Sequence, residues 1–139
     1  MPSFKIANRT VGDDHPVFII AEGGDAHLGS IDLAKEMIRL ARLSGADAIK
    51  FQHHLPYEEM LEDSPTSDNM KEPLYDFLVK NALTIHQHIE LKEYCDEIGI
   101  QYMCTPFSYA AAVELNDAGI LDAIKIGSGE MTDIPSLLK

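Results

Sequence analysis

The chain has 139 residues, of which 45% are hydrophobic and 24% charged, and its formal net charge is −12. Both fractions are close to the globular average, which argues against a disordered chain. The negative charge argues against nucleic acid as a partner, because phosphate backbones select basic surfaces. No run approaches the roughly 18 apolar residues of a membrane span, so we expect neither nucleic acid nor a membrane as a partner.

The start of the chain and its cysteines bear on the compartment. The segment MPSFKIANRT has neither an apolar h-region nor a small-residue cleavage site, so it does not predict a signal peptide. Cys95 and Cys104 lack C-x-x-C spacing, and nothing in the sequence identifies either as a nucleophile. We expect a reduced, cytoplasmic protein.

The first half of the chain alternates strand and helix patterns. Residues 4–11 predict a short strand or hairpin, and the apolar run at 17–21 predicts a strand buried on both faces. Ser30 is expected to cap a helix, and residues 46–52 predict a second strand. The apolar stripe predicted for the helix comprises Leu33, Met37, Leu40 and Ala41.

The second half continues this alternation after a long excursion. Residues 53–72 show no clear periodicity, and a short helix is predicted at 73–81. Thr84 and Gln87 form a capping-box pattern that opens a helix, which Gly99 ends. The remaining predicted elements are a strand at 100–104, a helix at 109–118, a strand at 123–126 and a first helical turn at 135–139.

This order of elements predicts the fold class. Strands that alternate with helices across short loops indicate right-handed βαβ units and a parallel sheet. About four such units fit 139 residues, whereas a closed eight-stranded barrel needs about 200–250. The pattern alone leaves two architectures open, a small open α/β sheet or half of a (β/α)₈ TIM barrel.

Polar side chains recur where the predicted strands end, and ligands of parallel α/β folds meet that end of the sheet. Lysines, hydroxyls and the amides of residues 127–129 suit a phosphate or carboxylate. Alternatively, Glu22 only pairs with a lysine that is costly to bury alone, and residues 127–129 form only a tight turn. The strand-end residues are Glu22, Lys50, Gln52, Thr105, Ser108, Lys125, Ser128 and Glu130.

The six histidines raise the question of a metal site. His53 and His54 are adjacent in the predicted loop, and His86 and His88 lie two residues apart at a helix start, so that pair faces different directions. The chain has no H-E-x-x-H motif and no paired His/Cys spacing. We therefore do not predict a complete metal site within it, and we interpret His27 as a hydrogen-bonding loop residue.

Five motifs follow one another in a fixed order along nearly the whole chain. They are IAE at 20–22, HLGS at 27–30, GADAIKFQ at 45–52, TPFS at 105–108 and KIGSGE at 125–130. This set resembles the N-acetylneuraminate (sialic acid) synthase family. That family includes synthases of N-acetylneuraminic, legionaminic and pseudaminic acids, and the motifs do not separate them.

The resemblance implies a fold and a reaction. The fold would be a (β/α)₈ barrel followed by a small antifreeze-like domain. The reaction would be a carbon–carbon bond-forming transfer, in which phosphoenolpyruvate condenses with an N-acetylmannosamine-type sugar to give a nonulosonic acid and phosphate. A divalent metal ion, manganese or magnesium, would polarise the sugar aldehyde, and the family's metal ligands are not in this chain.

The resemblance also assigns roles to residues. Lys50, Thr105, Lys125 and Ser128 would hold the carboxylate and phosphate of phosphoenolpyruvate. Asn69 would contact substrate, and Gln52 would line the same pocket. Glu22 and Glu130 would be the catalytic carboxylates near the sugar and the attacking water.

By the same resemblance, residues 1–139 correspond to the first part of the barrel domain, without the antifreeze-like domain. We expect such a chain to be inactive alone and to pair with another copy through its open strand edges, as a homo-oligomer. An alternative is a non-catalytic half-barrel module that binds phosphoenolpyruvate and homodimerises. A third interpretation is a small open-sheet domain whose motifs are purely structural.

Overall fold

A computed structural model describes residues 2–66, 68 and 70–139. The chain opens with an antiparallel hairpin of β1 (Ser3–Ile6) and β2 (Arg9–Gly12), in which Phe4 is opposite Val11. The hairpin predicted at 4–11 is thereby confirmed. Ile6 is its buried residue, and the Arg9 guanidinium donates to Asp47 at 2.6 Å, which ties the hairpin to the main sheet.

The main sheet is parallel, as predicted, with strands in the order β3 (Ile20–Gly24), β4 (Ala48–His53) and β5 (Gln101–Pro106). The central strand β4 and its neighbour β5 are almost wholly buried. The prediction of burial on both faces was wrong for the first strand, because Ile19 and Ile20 are 55% and 40% exposed. In the described part of the chain this strand has a neighbour on one side only, so it is an edge strand.

Helix α1 (Ile31–Leu43) begins where the sequence predicts, and Ser30 Oγ accepts a hydrogen bond from the Leu33 N–H at 3.2 Å. Its buried face is Ala34, Ile38 and Ala41, whereas Leu33 and Leu40 are largely exposed. The expected stripe is confirmed at Ala41, which is buried, and at Met37, which packs against the core. It is wrong at Leu33 and Leu40, and Ala34 and Ile38 are buried instead.

The excursion after β4 contains two helices. The short helix α2 (Pro56–Glu59) was not predicted, whereas α3 (Leu74–Asn81) lies inside the helix expected at 73–81. Pro56 occupies the first helical position, where its missing N–H costs no hydrogen bond. Part of the excursion is thus ordered against the end of β4.

Helix α4 (Ile85–Ile98) has the predicted capping box at its start: Thr84 Oγ1 accepts from the Gln87 N–H, and Gln87 Oε1 accepts from the Thr84 N–H. Gly99 ends the helix with φ of 75°, a left-handed conformation that favours glycine. Both ends of this helix are therefore determined by residues next to them in sequence.

The last part of the chain contains α5 (Tyr109–Asp117), a 3₁₀ turn (Gly129–Thr132) and α6 (Ile134–Leu137). The fourth strand expected at 123–126 is reduced to one parallel bridge between Cys104 and Ile124. Ile124 and Ile126 remain 49% and 38% exposed. A strand needs backbone partners along its length, and in the described residues this segment has β5 on one side only.

The hydrophobic core lies between the sheet and helices α1, α4 and α5. From the strands it takes Ile49, Phe51, Tyr102 and Cys104, packed against helical residues such as Leu91. Side chains alternate along a strand, so Lys50 and Gln52 on β4 point to the opposite face of the sheet. No helix in the described part of the chain is long and apolar enough to cross a membrane.

We expect Thr84→Ala to lower the free energy of unfolding by about 1 kcal/mol, because it removes the side-chain acceptor at the start of α4. Urea denaturation of the protein measures the change. Thr66→Ala, at an exposed position outside the helices, is the matched control and should stay near the wild-type value. Equal stabilities for the two variants would contradict the capping role.

Candidate functional site

The Lys50 ammonium and the Glu22 carboxylate form an ion pair at the carboxyl end of the sheet. The two residues are register partners on β4 and β3. The Lys50 side chain is 8% exposed, whereas that of Glu22 is 57% exposed. Glu22 Oε1 also accepts from the Gly24 N–H at 3.1 Å. A buried ammonium therefore has its carboxylate partner on the solvent side.

Gln52 and Thr105 lie opposite each other one step further along the strands. Thr105 is 1% exposed, and its Oγ1 has no hydrogen-bond partner within the described part of the chain. Buried hydroxyls are normally hydrogen-bonded, so this group has unused capacity for a ligand oxygen. The structure thus places Glu22, Lys50, Gln52 and Thr105 on adjoining positions of three strands.

Lys125, Ser128 and Glu130 follow the Ile124 bridge. Lys125 and Ser128 are exposed, and in the described ranges no carboxylate lies within 4.0 Å of the Lys125 ammonium. Glu130 Oε2 is buried, has no hydrogen-bond partner among the described residues, and lies over Gly127, where any Cβ would overlap the carboxylate. The absence of a side chain at residue 127 therefore makes room for the Glu130 carboxylate.

A cavity of about 430 Å³ adjoins Glu130 and extends to Glu59, Phe107 and Tyr109. Ser108 also lines it, but the Ser108 hydroxyl accepts from the Ala111 N–H at 3.1 Å and so caps α5. The Ser108 hydroxyl therefore stabilises the start of α5. The cavity lies beside the carboxyl end of β5, where the sequence predicts ligand binding.

Not all predicted site residues are brought together. Direct contact joins Glu22 to Lys50, and strand register joins Gln52 to Thr105. Within the described ranges, Lys125, Ser128 and Glu130 make no hydrogen bond or ion pair to that group. Asn69 lies outside the described residues.

The structure adds a site residue that the sequence did not single out, His54. Its Nδ1 lies 2.8 Å from Glu59 Oε2, and its Nε2 lies 3.2 Å from Asp25 Oδ2 and 3.0 Å from Gln52 Oε1. Its ring stacks on Phe107 with centroids 4.4 Å apart. Burial lowers the pKa of His54, but the carboxylates of Asp25 and Glu59 outweigh burial and raise the pKa to about 9.

One signal for His54 was available, because it follows β4 as the other predicted site residues follow their strands. Because residues 53–72 lack periodicity and are interpreted as a loop, the sequence analysis does not count His54 among the strand-end residues. Both carboxylate partners come from segments with no periodic pattern, so the sequence could not indicate the contact.

Three other buried histidines have structural contacts. His27 Nδ1 accepts from the Gly29 N–H at 3.1 Å, which confirms it as a hydrogen-bonding loop residue. His53 Nε2 lies 2.9 Å from Glu114 Oε2, and His88 Nδ1 lies 2.6 Å from the Tyr102 hydroxyl. Burial, with the neighbouring histidines, lowers the pKa of His88 to about 3, so its ring is neutral at ordinary pH.

The residues that the structure describes provide neither a cluster of metal ligands nor a reactive thiol. Within them, no group of three or more His, Cys, Asp or Glu side chains could hold a metal ion. They therefore do not fit the divalent ion that the resemblance implies. Burial raises the pKa of both cysteine thiols, Cys95 and Cys104, to about 12, which removes them as nucleophiles at neutral pH.

Comparison with known proteins settles the family. Residues 37–139 match the NeuB family, and this match covers most of the chain and three of the five motifs in full. The chain belongs to the NeuB family. The family match includes the strand ends that carry Lys50, Thr105, Lys125, Ser128 and Glu130.

Individual relatives agree with this membership. An uncharacterized protein of Methanocaldococcus jannaschii is 39% identical over all of this chain and 39% of its own length. The human N-acetylneuraminate-9-phosphate synthase is 36% identical, over 94% of this chain and 38% of that protein. The chain therefore spans less than half the length of these relatives.

A solved structure has the same fold. The N-acetylneuraminic acid synthetase of Leptospira borgpetersenii, in complex with citrate, superimposes with a TM-score of 0.85 at 30% identity. The superposition covers 98% of this chain and 45% of that one. The α/β fold with a parallel sheet is thus shared with a family synthase.

The ion pairs of His54 predict a pH-dependent stability. Its pKa is about 9 in the folded chain against 6.5 in the unfolded one, so the stabilisation is full below pH 6.5 and is lost as pH rises through 9. We expect the stability advantage of wild type over His54→Gln to be up to about 3 kcal/mol smaller at pH 10 than at pH 6.

Urea unfolding at the two pH values measures this difference. His86→Gln, at an exposed position on α4, is the control and should follow the wild type at both. A His54→Gln protein that loses as much stability as wild type between pH 6 and 10 would show that His54 is not the titrating group.

Proposed function

We propose that this chain forms the phosphoenolpyruvate-binding part of a sialic-acid-type synthase. The enzyme would join phosphoenolpyruvate to an N-acetylated amino sugar of the N-acetylmannosamine type, giving a nonulosonic acid and phosphate. Family membership supports the class of reaction, and the relatives named for sialic acid synthesis support the class of product. The exact sugar is left open, as it is by the motifs.

We also propose that the sheet is part of a (β/α)₈ barrel. The extensive superposition on a family synthase supports this architecture. Exposed apolar side chains at both outer edges of the sheet, Ile19 beside β3 and Ile124 beside β5, also favour further strands in the native protein. The intact mass of the native polypeptide tests whether those strands belong to the same chain, since a whole barrel requires about 27 kDa or more.

The observation that carries the proposal is the Lys50–Glu22 pair. A buried ammonium is stable only with an anionic or hydrogen-bonding partner, and its partner here is a carboxylate more than half exposed to solvent. The carboxylate or phosphate of phosphoenolpyruvate can replace Glu22 on the ammonium without leaving Lys50 unpaired. The buried Thr105 hydroxyl, which has no hydrogen-bond partner in the part of the chain that the structure describes, can donate to the same ligand.

The proposed reaction forms one carbon–carbon bond and one carbon–oxygen bond from water to C2, and it breaks the bond between C2 and the phosphate oxygen. C3 of phosphoenolpyruvate attacks the sugar aldehyde carbon, and the aldehyde oxygen takes up a proton to become a hydroxyl. Water adds to the oxocarbenium-like C2 and loses a proton, and phosphate leaves from C2. Glu22, once released from Lys50, and Glu130 are the carboxylates proposed to handle these protons.

Other groups have more limited roles. Exposed Lys125 and Ser128 are proposed to close on the phosphate from the segment after Ile124, and Asn69 is proposed to contact substrate. A manganese or magnesium ion would supply Lewis-acid activation of the aldehyde. The described residues do not fit such an ion, and we propose that other parts of the native enzyme bind it.

We expect Lys50→Met to weaken phosphoenolpyruvate binding roughly 10- to 100-fold, because a charge-assisted hydrogen bond is worth about 1.5–3 kcal/mol. Calorimetry on the native protein measures the dissociation constant. Lys35→Met is the control, since Lys35 pairs with Glu90 on the helical surface, and it should bind as wild type does. Unchanged binding by Lys50→Met would contradict the proposed site.

Turnover distinguishes the synthase from the alternative module. Phosphate release by the native protein, supplied with phosphoenolpyruvate, N-acetylmannosamine and manganese, is the expected result. Binding of phosphoenolpyruvate without phosphate release, together with a homodimer in solution, would instead favour the non-catalytic half-barrel module. A native protein that binds no phosphoenolpyruvate would exclude both functions.

A further inference from the structure

The His54 ring is fixed by three polar partners from three segments of the chain. Glu59 lies on α2, Asp25 follows β3, and Gln52 is the penultimate residue of β4. His54 and Glu59 are nearly inaccessible to solvent, with side chains 6% and 4% exposed. This arrangement has no solvent to compensate for an unmatched donor or acceptor, so the hydrogen-bonding roles within it are constrained.

Those roles follow from the partners themselves. Nδ1 faces the Glu59 carboxylate and Nε2 faces the Asp25 carboxylate, and carboxylates only accept hydrogen bonds. Both ring nitrogens must therefore carry a proton, which makes His54 an imidazolium. His27, the other histidine close to Asp25, is fully buried and has its pKa lowered by burial, so it is neutral and does not compete for the negative charge.

Because the His54 imidazolium only donates hydrogen bonds, it determines the orientation of the Gln52 side-chain amide. The oxygen of Gln52 must face His54, and it lies 3.0 Å from Nε2. The amide NH₂ then points away from His54. Its nitrogen lies 3.8 Å from the place that a Cβ on Gly24 would occupy, toward the end of β3. Gln52 thus presents a donor to the side of the sheet that carries Lys50 and Glu22.

We propose that His54 is a positioning residue for the ligand: its imidazolium holds the Gln52 oxygen, so that the Gln52 amide N–H donates to an oxygen of bound phosphoenolpyruvate. This inference rests on the proposed function of the same site. The imidazolium also offsets one of the two negative charges of Asp25 and Glu59, which lessens their repulsion of an anionic ligand at the strand ends.

Two variants with a matched control test the inference. His54→Gln removes the cation, and we expect it to raise the dissociation constant for phosphoenolpyruvate about tenfold. Gln52→Glu keeps an acceptor for His54 but removes the donor to the ligand, so it should raise the dissociation constant by a similar factor. In the double variant the two losses should not multiply, because both remove the same hydrogen bond.

His53→Gln is the control. His53 is adjacent in sequence and equally buried, but it lies on the helix side of the sheet and pairs with Glu114. A purely structural effect of losing a buried histidine would appear in this variant too. We expect its affinity for phosphoenolpyruvate to stay within about twofold of wild type.

Two measurements on the wild-type protein test the inference without requiring that any variant folds. The His54 ring should show both nitrogens protonated at pH 8 by ¹⁵N NMR, and affinity for phosphoenolpyruvate should fall as pH rises through about 9. The Gln52 side-chain NH₂ signals should shift when phosphoenolpyruvate is added. A neutral His54 at pH 8, or NH₂ signals that do not move while the ligand binds, would overturn the inference.

The outcomes separate this inference from the proposed function. If wild type and His54→Gln bind phosphoenolpyruvate equally well, the positioning role is wrong and the proposed function stands. If the wild-type native protein binds no phosphoenolpyruvate at all, the proposed function fails and the inference fails with it.

Discussion

The structure depends on how one buried ammonium is paired. Lys50 lies in the central strand of the parallel sheet, and the free energy of burying its charge requires a partner at every stage of function. Glu22 is that partner in the present state, at the edge of the sheet and half in solvent. The pair links β3 to β4, and we propose that a ligand anion can take the place of Glu22 at the strand ends.

Strand alternation explains why the polar groups gather there without disturbing the core. Ile49 and Phe51 pack under the helices, so the residues between and after them, Lys50 and Gln52, face the other side of the sheet. Parallel register then places Thr105 beside Gln52. The packing of the helices on one face therefore leaves these polar residues together on the opposite face, and one change of register would disperse them.

The sequence predicts features that depend on contacts between neighbouring residues better than features that depend on contacts between distant segments. The ends of α1 and α4 were predictable because Ser30, Thr84 and Gln87 satisfy backbone groups within three residues of themselves. The meeting of Glu22 with Lys50 was predictable because the carboxyl ends of parallel strands share one edge of the sheet. The strand expected at 123–126 is reduced to one bridge, because a strand is completed by distant neighbours. The exposure of Leu33 was not predictable, because it depends on which side of α1 faces the core.

The contacts of His54 show why electrostatic roles are hardest to predict from sequence. A histidine followed by Pro56 and two glutamates is typical of a polar loop, yet here the folding of α2 brings Glu59 onto one nitrogen while the loop after β3 brings Asp25 onto the other. The charge of the ring is decided by two carboxylates that only the tertiary structure places. Because an imidazolium only donates hydrogen bonds, it determines the orientation of the Gln52 amide two residues away, whose N–H we propose as a donor to the ligand.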